Sequence, residues 1–428
     1  MSRVLSVLLL IALAAGAALA SPPGDPVPGD APGYNPPPVA VCAVEQGSGQ
    51  DTTTAVLSTV NGEGTVTAFS GGVAAGSSIF QTGASGSATV PLVDVAAVGV
   101  AAGLLEFPNA EASAASLITG PTSVALEGCQ SKPAEQTLLA GGSTVSGQTF
   151  EIQLMNPYAG EAVVDLAAVS ESGLETAPQL EDITVPSRSS ALIDMSQILP
   201  GRESMSVTVT VSQGSILAVG RLSDGTDLAL WNAVTPATDW FVPVPGDASG
   251  EIVISTGVGS DVAYQVDVYG PEGLVEAADE GVVPARGQVT VDLGELGGST
   301  GAMRVIAAQP VGVFLRTVAD DGLAITSGAS TPAARWLLPG AGSIAQGQGS
   351  LVILNTGLDD ATVVVTDHRP DSVAEQFVVP AGQVVEFEAI VGTGDGYSVT
   401  GDGDLVVLWS AAMDTARVYA MGTPILDE

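Results

Sequence analysis

The residues Thr331 to Pro339, Thr-Pro-Ala-Ala-Arg-Trp-Leu-Leu-Pro, recur almost unchanged as Thr235 to Pro243, Thr-Pro-Ala-Thr-Asp-Trp-Phe-Val-Pro. A fainter copy, Lys132 to Ala140, keeps Pro133, Ala134 and the apolar pair Leu138 and Leu139, and Thr423-Pro424 stands where another copy would begin. Pro133, Pro236, Pro332 and Pro424 lie 103, 96 and 92 residues apart. A period of about one domain over most of the chain restricts the fold to tandem modules.

The same succession of segments follows each seam. A strand ends on Asn or Thr (Phe150 to Asn156, Glu251 to Thr256, Ser350 to Asn355). An alternating strand comes next (Ala162 to Leu166, Ala263 to Val268, Ala361 to Asp367), then a Val-Pro pair (Val185-Pro186, Val283-Pro284, Val379-Pro380) leading into another strand. Period-two alternation sends neighbouring side chains to opposite faces of a sheet. Proline cannot donate to a ladder, so its recurrence marks strand ends or sheet edges. Asp224-Gly225, Asp321-Gly322 and Asp414-Thr415 turn the chain into the last run of each module.

Roughly seven or eight short strands per ~96 residues predict an all-β chain of tandem immunoglobulin-like or fibronectin-like β-sandwich modules. A β-propeller of ~48-residue blades is the alternative. The boundaries read as a divergent module over 42–130, closed by a disulfide, and sandwich modules over 131–234, 235–330 and 331–428. Within the first module, the Ala-rich stretch Ala96 to Leu105 has room for a short helical turn, against which Gly99 and Gly103 argue. Trp240 and Trp336 follow the seam prolines, which predicts an extended array stiffened at its joints.

Residues 1–20 carry Arg3 and an unbroken apolar run from Val4 to Ala20, the pattern of a cleaved export signal or of an N-terminal anchor. Residues 21–41 are Pro-rich and read as an extended linker. Export gives the two cysteines a meaning: Cys42 and Cys129 bracket one module and are expected to form its disulfide.

The net charge of -36, from 47 acidic against 11 basic residues, excludes nucleic acid and anionic lipid as partners. Asp359, Asp360, Asp395, Asp402 and Asp404 match no complete Ca²⁺ loop. His368, the one histidine, reads as part of a solvated turn. Gly297 to Gly301 spells Gly-x-Ser-x-Gly, but a Gly-rich loop between strands is not a nucleophile elbow. Trp231, Trp240, Trp336 and Trp409 read as core in preference to a sugar-stacking platform. No catalytic, cofactor or metal residue is assigned.

Modules built as strand, Asn or Thr, Ala-x-Val-x-Val, then Val-Val-Pro-Ala with Gly-Gln-Val resemble a group of secreted or membrane-anchored actinobacterial proteins of unknown function, often encoded near cell-envelope glycosyltransferases. The resemblance covers residues 130 to 428, carries no catalytic residue, and implies a role at the cell envelope. The expectation is a non-enzymatic extracytoplasmic protein, secreted or tethered to the membrane's outer face, that binds an envelope protein or wall glycan. The alternative is a secreted carbohydrate-active enzyme or carbohydrate-binding module.

Overall fold

A computed structural model describes residues 39–44, 51–58, 62–70, 73–83, 85–91, 101–107, 111–270, 273–296, 301–319, 322–344, 348–390, 396–413 and 416–426. The export segment, all but the end of the Pro-rich linker, the Asp414-Thr415 turn and Gly297 to Thr300 lie outside the described residues. Val39 to Val41, read as the linker's end, open the first strand. The stretch considered for a helical turn contains most of another strand, Ala101–Glu106.

The chain is all-β, and its hydrogen-bonded ladders stay within four successive stretches, 39–130, 136–234, 237–329 and 333–424. The first holds β1 (Val39–Val44), β2 (Asp51–Ser58), β3 (Glu63–Ser70), β4 (Val73–Gln81), β5 (Ser87–Pro91), β6 (Ala101–Glu106), β7 (Ala112–Thr119) and β8 (Val124–Gly128). The second holds β9 (Gln136–Gly142), β10 (Thr149–Asn156), β11 (Ala162–Ser170), β12 (Gly173–Leu174), β13 (Ile183–Val185), β14 (Ser189–Asp194), β15 (Met205–Gln213), β16 (Leu217–Ser223) and β17 (Leu228–Asn232). The third holds β18 (Ala237–Pro243), β19 (Glu251–Ser255), β20 (Val262–Gly270), β21 (Gly273–Val283), β22 (Gln288–Asp292), β23 (Ala302–Ala319) and β24 (Gly322–Ser327). The fourth holds β25 (Ala333–Leu338), β26 (Gln348–Asn355), β27 (Ala361–Asp367), β28 (Glu375–Val379), β29 (Val384–Ala389), β30 (Tyr397–Ala412), β31 (Arg417–Met421) and β32 (Thr423–Pro424).

One pattern of pairing returns four times. In the first stretch it gives the orders β4-β3-β6-β1 and β5-β2-β7-β8. In the third and fourth, β23 and β30 supply both the sixth and the seventh strand, pairing with one sheet along their first half and the other along their second. The first strand therefore pairs with the sixth, which is not the ABED/CFG order of an immunoglobulin domain. Nor is it the single four-stranded sheet of a propeller blade.

The sequence motifs acquire causes. In each Val-Pro pair the valine (Val185, Val283, Val379) is fully buried, while Val282 and Val378 just before the last two are exposed, as alternation requires. Asn156 and Asn355 are buried at their strand ends. Asn355 Nδ2 donates to the carbonyls of Asp359 and Val379 (2.8 and 3.0 Å), and Asn156 Nδ2 does the same for Gly160 and Val185, tying one turn to the next strand. Thr256 does a related job through Pro310 O. The seams are strands, β18 and β25, each with its indole inside. Trp240 Nε1 donates to Ala237 O and Val311 O, and Trp336 Nε1 donates to Ala333 O and Leu405 O.

The extended array does not form. The eighth strands pack side by side in a closed circuit, β8 on β17, β17 on β24, β24 on β31 and β31 back on β8. Residues Pro37–Glu428 form one compact unit. Every junction is apolar: Val41, Ile118 and Ala125 pack with Met155, Leu217 and Leu230; Phe314 and Ile325 join the core of the second stretch; Tyr419 joins that of the third. Closure between first and last adds Arg335 to Glu111 at 2.8 Å and Ser113 Oγ to Thr423 Oγ1 at 2.7 Å.

Candidate functional site

Four strands meeting at one axis place their starting ends together, and there the chain buries a carboxylate. The turn Asp224-Gly225-Thr226-Asp227 is set by Asp224, whose Oδ1 accepts the N–H groups of Thr226 and Asp227, with Gly225 supplying a φ of 86°. This aims Asp227, 1% exposed, into the axis. Its Oδ1 accepts the N–H of Leu228 at the start of β17. Its Oδ2 accepts those of Leu323 in β24 and Arg417 in β31, at 2.8 and 3.1 Å. The backbone of Val124, at the start of β8, also favours the charged form of this carboxylate. One side chain thus satisfies backbone donors from the second, third and fourth stretches. Desolvation outweighs the donors and pushes its pKa up to about 6.

Along the axis the strands close on a small cavity walled by Ala125, Leu126, Ala229, Leu230, Ala324, Ile325, Val418 and Tyr419. Arg417, 4% exposed, runs along its wall, donating to Tyr419 Oη and to Asp247 Oδ2 at 3.2 and 3.0 Å. A second buried acid, Glu127, lies near the other end of β8. Its Oε1 accepts the Asn232 N–H and, among the described residues, its Oε2 has no partner, so burial holds its carboxyl well above the ordinary range. Asn232 in turn donates to Gly128 O and accepts from Gln130 Nε2, which fastens the first stretch to the second. The small apolar cavity and fully engaged Asp227 define a structural hub.

The structure joins Cys42 to Cys129 across 87 residues, with Cα atoms 4.5 Å apart. They adjoin Val41 and Gln130, which exchange backbone hydrogen bonds; Leu138 with Val234 and Phe241 with Ala329 make the equivalent exchange in the next two stretches. The disulfide therefore reinforces a tie that recurs without it.

His368 departs from the solvated-turn expectation: its Nδ1 meets Ser85 O and its Nε2 meets Ser398 Oγ, bridging the last stretch to the first. Asp360 and Asp402 cap turns, accepting the N–H groups of Ala381 and Thr362. All four tryptophans are buried and present no ring for a sugar to stack on. Sequence reasoning missed Asp227, although the Asp-Gly turn that presents it was in view.

A closed ring of four β-rich repeats around an apolar hub is the class of protein that this fold defines. The chain belongs to a family of unknown function, DUF5719, whose match spans residues 110–369. No curated protein matches it. Among solved structures it is similar to Thermotoga maritima 1070, at 15% identity over 23% of this chain and 98% of that one, with a TM-score of 0.20. It is also similar to a tetra-tandem repeat from the extending region of a large adhesion protein, at 14% identity over 91% and 99% of the two chains, with a TM-score of 0.11.

Proposed function

We propose that this is a non-enzymatic, extracytoplasmic cell-envelope protein, secreted or held at the membrane's outer face by its first 20 residues. Its four sandwich modules, 42–130, 131–234, 235–330 and 331–428, act as a scaffold that binds an envelope protein or wall glycan. The observation that carries the reading is the hub: the inner strands spend their side chains and N–H groups on one another, leaving the outer strands for partners. The disulfide suits an oxidising compartment, and the resemblance to actinobacterial envelope proteins points the same way. Among the described residues no helix is long and apolar enough to cross a membrane.

The alternative, a carbohydrate-active enzyme or binding module, drew on tryptophans and abundant acids. The tryptophans are now committed to cores, which leaves it the weaker reading. The test is fractionation with external protease, followed by recovery of partners from envelope extract using the chain with and without residues 1–41. Protection from external protease together with no envelope partner would overturn the proposal.

A further inference from the structure

The pairing order makes each eighth strand an inner edge and each fourth strand an outer one: among the described residues, β4, β12, β21 and β28 end their sheets with no strand beyond. Large exposed apolar side chains gather on these outer edges, at Ile79, Leu174, Leu274, Val275, Val282 and Val378. An open edge offers unpaired N–H and C=O groups, and proteins ordinarily blunt it with a bulge, a charge or a short strand. Three of the four are interrupted, by a slip in the ladder or by being only two residues long. The ladder of β4 slips at Ala68/Phe69, β12 has two residues, and that of β21 slips at Val266/Val268, where Asp267 captures the N–H of Ala277.

The fourth outer edge is regular. β28 pairs with β27 without a slip, from Ala361 opposite Val379 to Val365 opposite Glu375. Phe377 turns inward to stack on Phe387, while Glu375, Gln376 and Val378 face solvent. Exposed Val373 precedes this strand, and exposed Leu358 stands on the turn that Asn355 ties to Val379. The surrounding charge is acidic: Asp359 and Asp360 lie on the turn that Asn355 ties to Val379, Asp360 accepting the N–H of Ala381 just beyond β28, and Asp371 and Glu375 stand before and within it. The nearby cation, Arg369, is paired with Asp367 at 2.5 Å.

We infer that β28 is a docking edge for an extended, Lys- or Arg-bearing segment of a partner protein, which adds to the sheet as one more strand. Backbone hydrogen bonds would supply register, Val378 the apolar contact, and the acidic surround the selectivity for a basic segment. The same charge disfavours pairing of β28 with a second copy of this chain, since the net charge is -36. The inference rests on the binding reading above and names its surface and partner class.

The test titrates the full chain with a labelled ten-residue peptide alternating Lys and Val, with a Glu-Val counterpart, and with the Lys-Val peptide N-methylated at alternate residues. Binding of the Lys-Val peptide alone is expected, weakened at least tenfold by Val378→Lys at unchanged melting temperature, with new hydrogen-exchange protection over Glu375 to Val379. Equal binding of the N-methylated peptide, indifference to Val378→Lys, or protection elsewhere would overturn it, as would salt-independent dimerisation through β28. If the peptide fails while envelope partners are still recovered, only this edge assignment falls. If no envelope partner is recovered although the peptide docks, it is the scaffold reading that falls.

Discussion

Two buried acids on the inner strands respond to substitution in opposite ways. Asp227→Asn puts an NH₂ group against the N–H donors of Leu323 or Leu228, and a cost of about 2–4 kcal/mol is expected in a chemical denaturation series. Glu127→Gln keeps an acceptor for Asn232 N–H and removes a charge the site disfavours, so stability at pH 7–8 should hold or rise. The pH dependence of Asp227 has a definite sign. Its folded pKa of about 6 lies above the ordinary value, so between pH 4 and 6 the folded state keeps a proton that the unfolded state has lost. Stability from this group is full below about pH 4 and falls by about 3 kcal/mol by pH 6. A pH series should show that decline in the wild type and not in Asp227→Asn; parallel curves would contradict it. Trp336, 1% exposed with its Nε1 bonded to two carbonyls, should cost ~3–5 kcal/mol as Trp336→Ala in thermal or denaturant melts.

At the scale of elements, Cys42→Ala with Cys129→Ala should destabilise by up to ~4 kcal/mol. The exchange between Val41 and Gln130 should survive, as its equivalents do in stretches without a disulfide. Melting with and without reductant, together with non-reducing peptide mapping, checks both points. The strands were legible because their causes are local: alternation in β27, the buried valine before each Pro, the Asn that closes β10 and β26. Seam residues were legible as a repeat but misread as joints, since Pro236 and Pro332 suggest linkers while Trp240 and Trp336 act inside β18 and β25. The pairing of first with sixth strand and the hub were not legible. Asp227 meets Leu323 and Arg417, 96 and 190 residues further on, and no local pattern encodes partners that distant.

For the whole molecule, the closed circuit of β8, β17, β24 and β31 replaces a string of independent modules with mutually dependent ones. A string loses little when an end module is removed. A ring loses two junctions and exposes the apolar faces of both neighbours, here Leu217 and Leu230 on one side and, on the other, the faces of β25 and β31 that meet β7 and β8. Deleting residues 39–130 should therefore yield a chain that aggregates or melts at much lower temperature, whereas independent modules would keep their transitions. The intact unit, Pro37–Glu428, has the compactness of a single large domain, and its radius of gyration in small-angle scattering should be near 21 Å. Four domains of this size in line would measure nearly twice that. A value close to the larger figure, or a distance distribution with repeated maxima, would mean that β31 does not return to β8 and that Asp227 lacks its Arg417 donor in solution. Arg335→Glu sets like charge against Glu111 at the junction where the first stretch meets the last. That variant should lower the melting temperature without opening the ring, because the apolar contacts of Leu117 and Leu126 with the last stretch carry most of the closure.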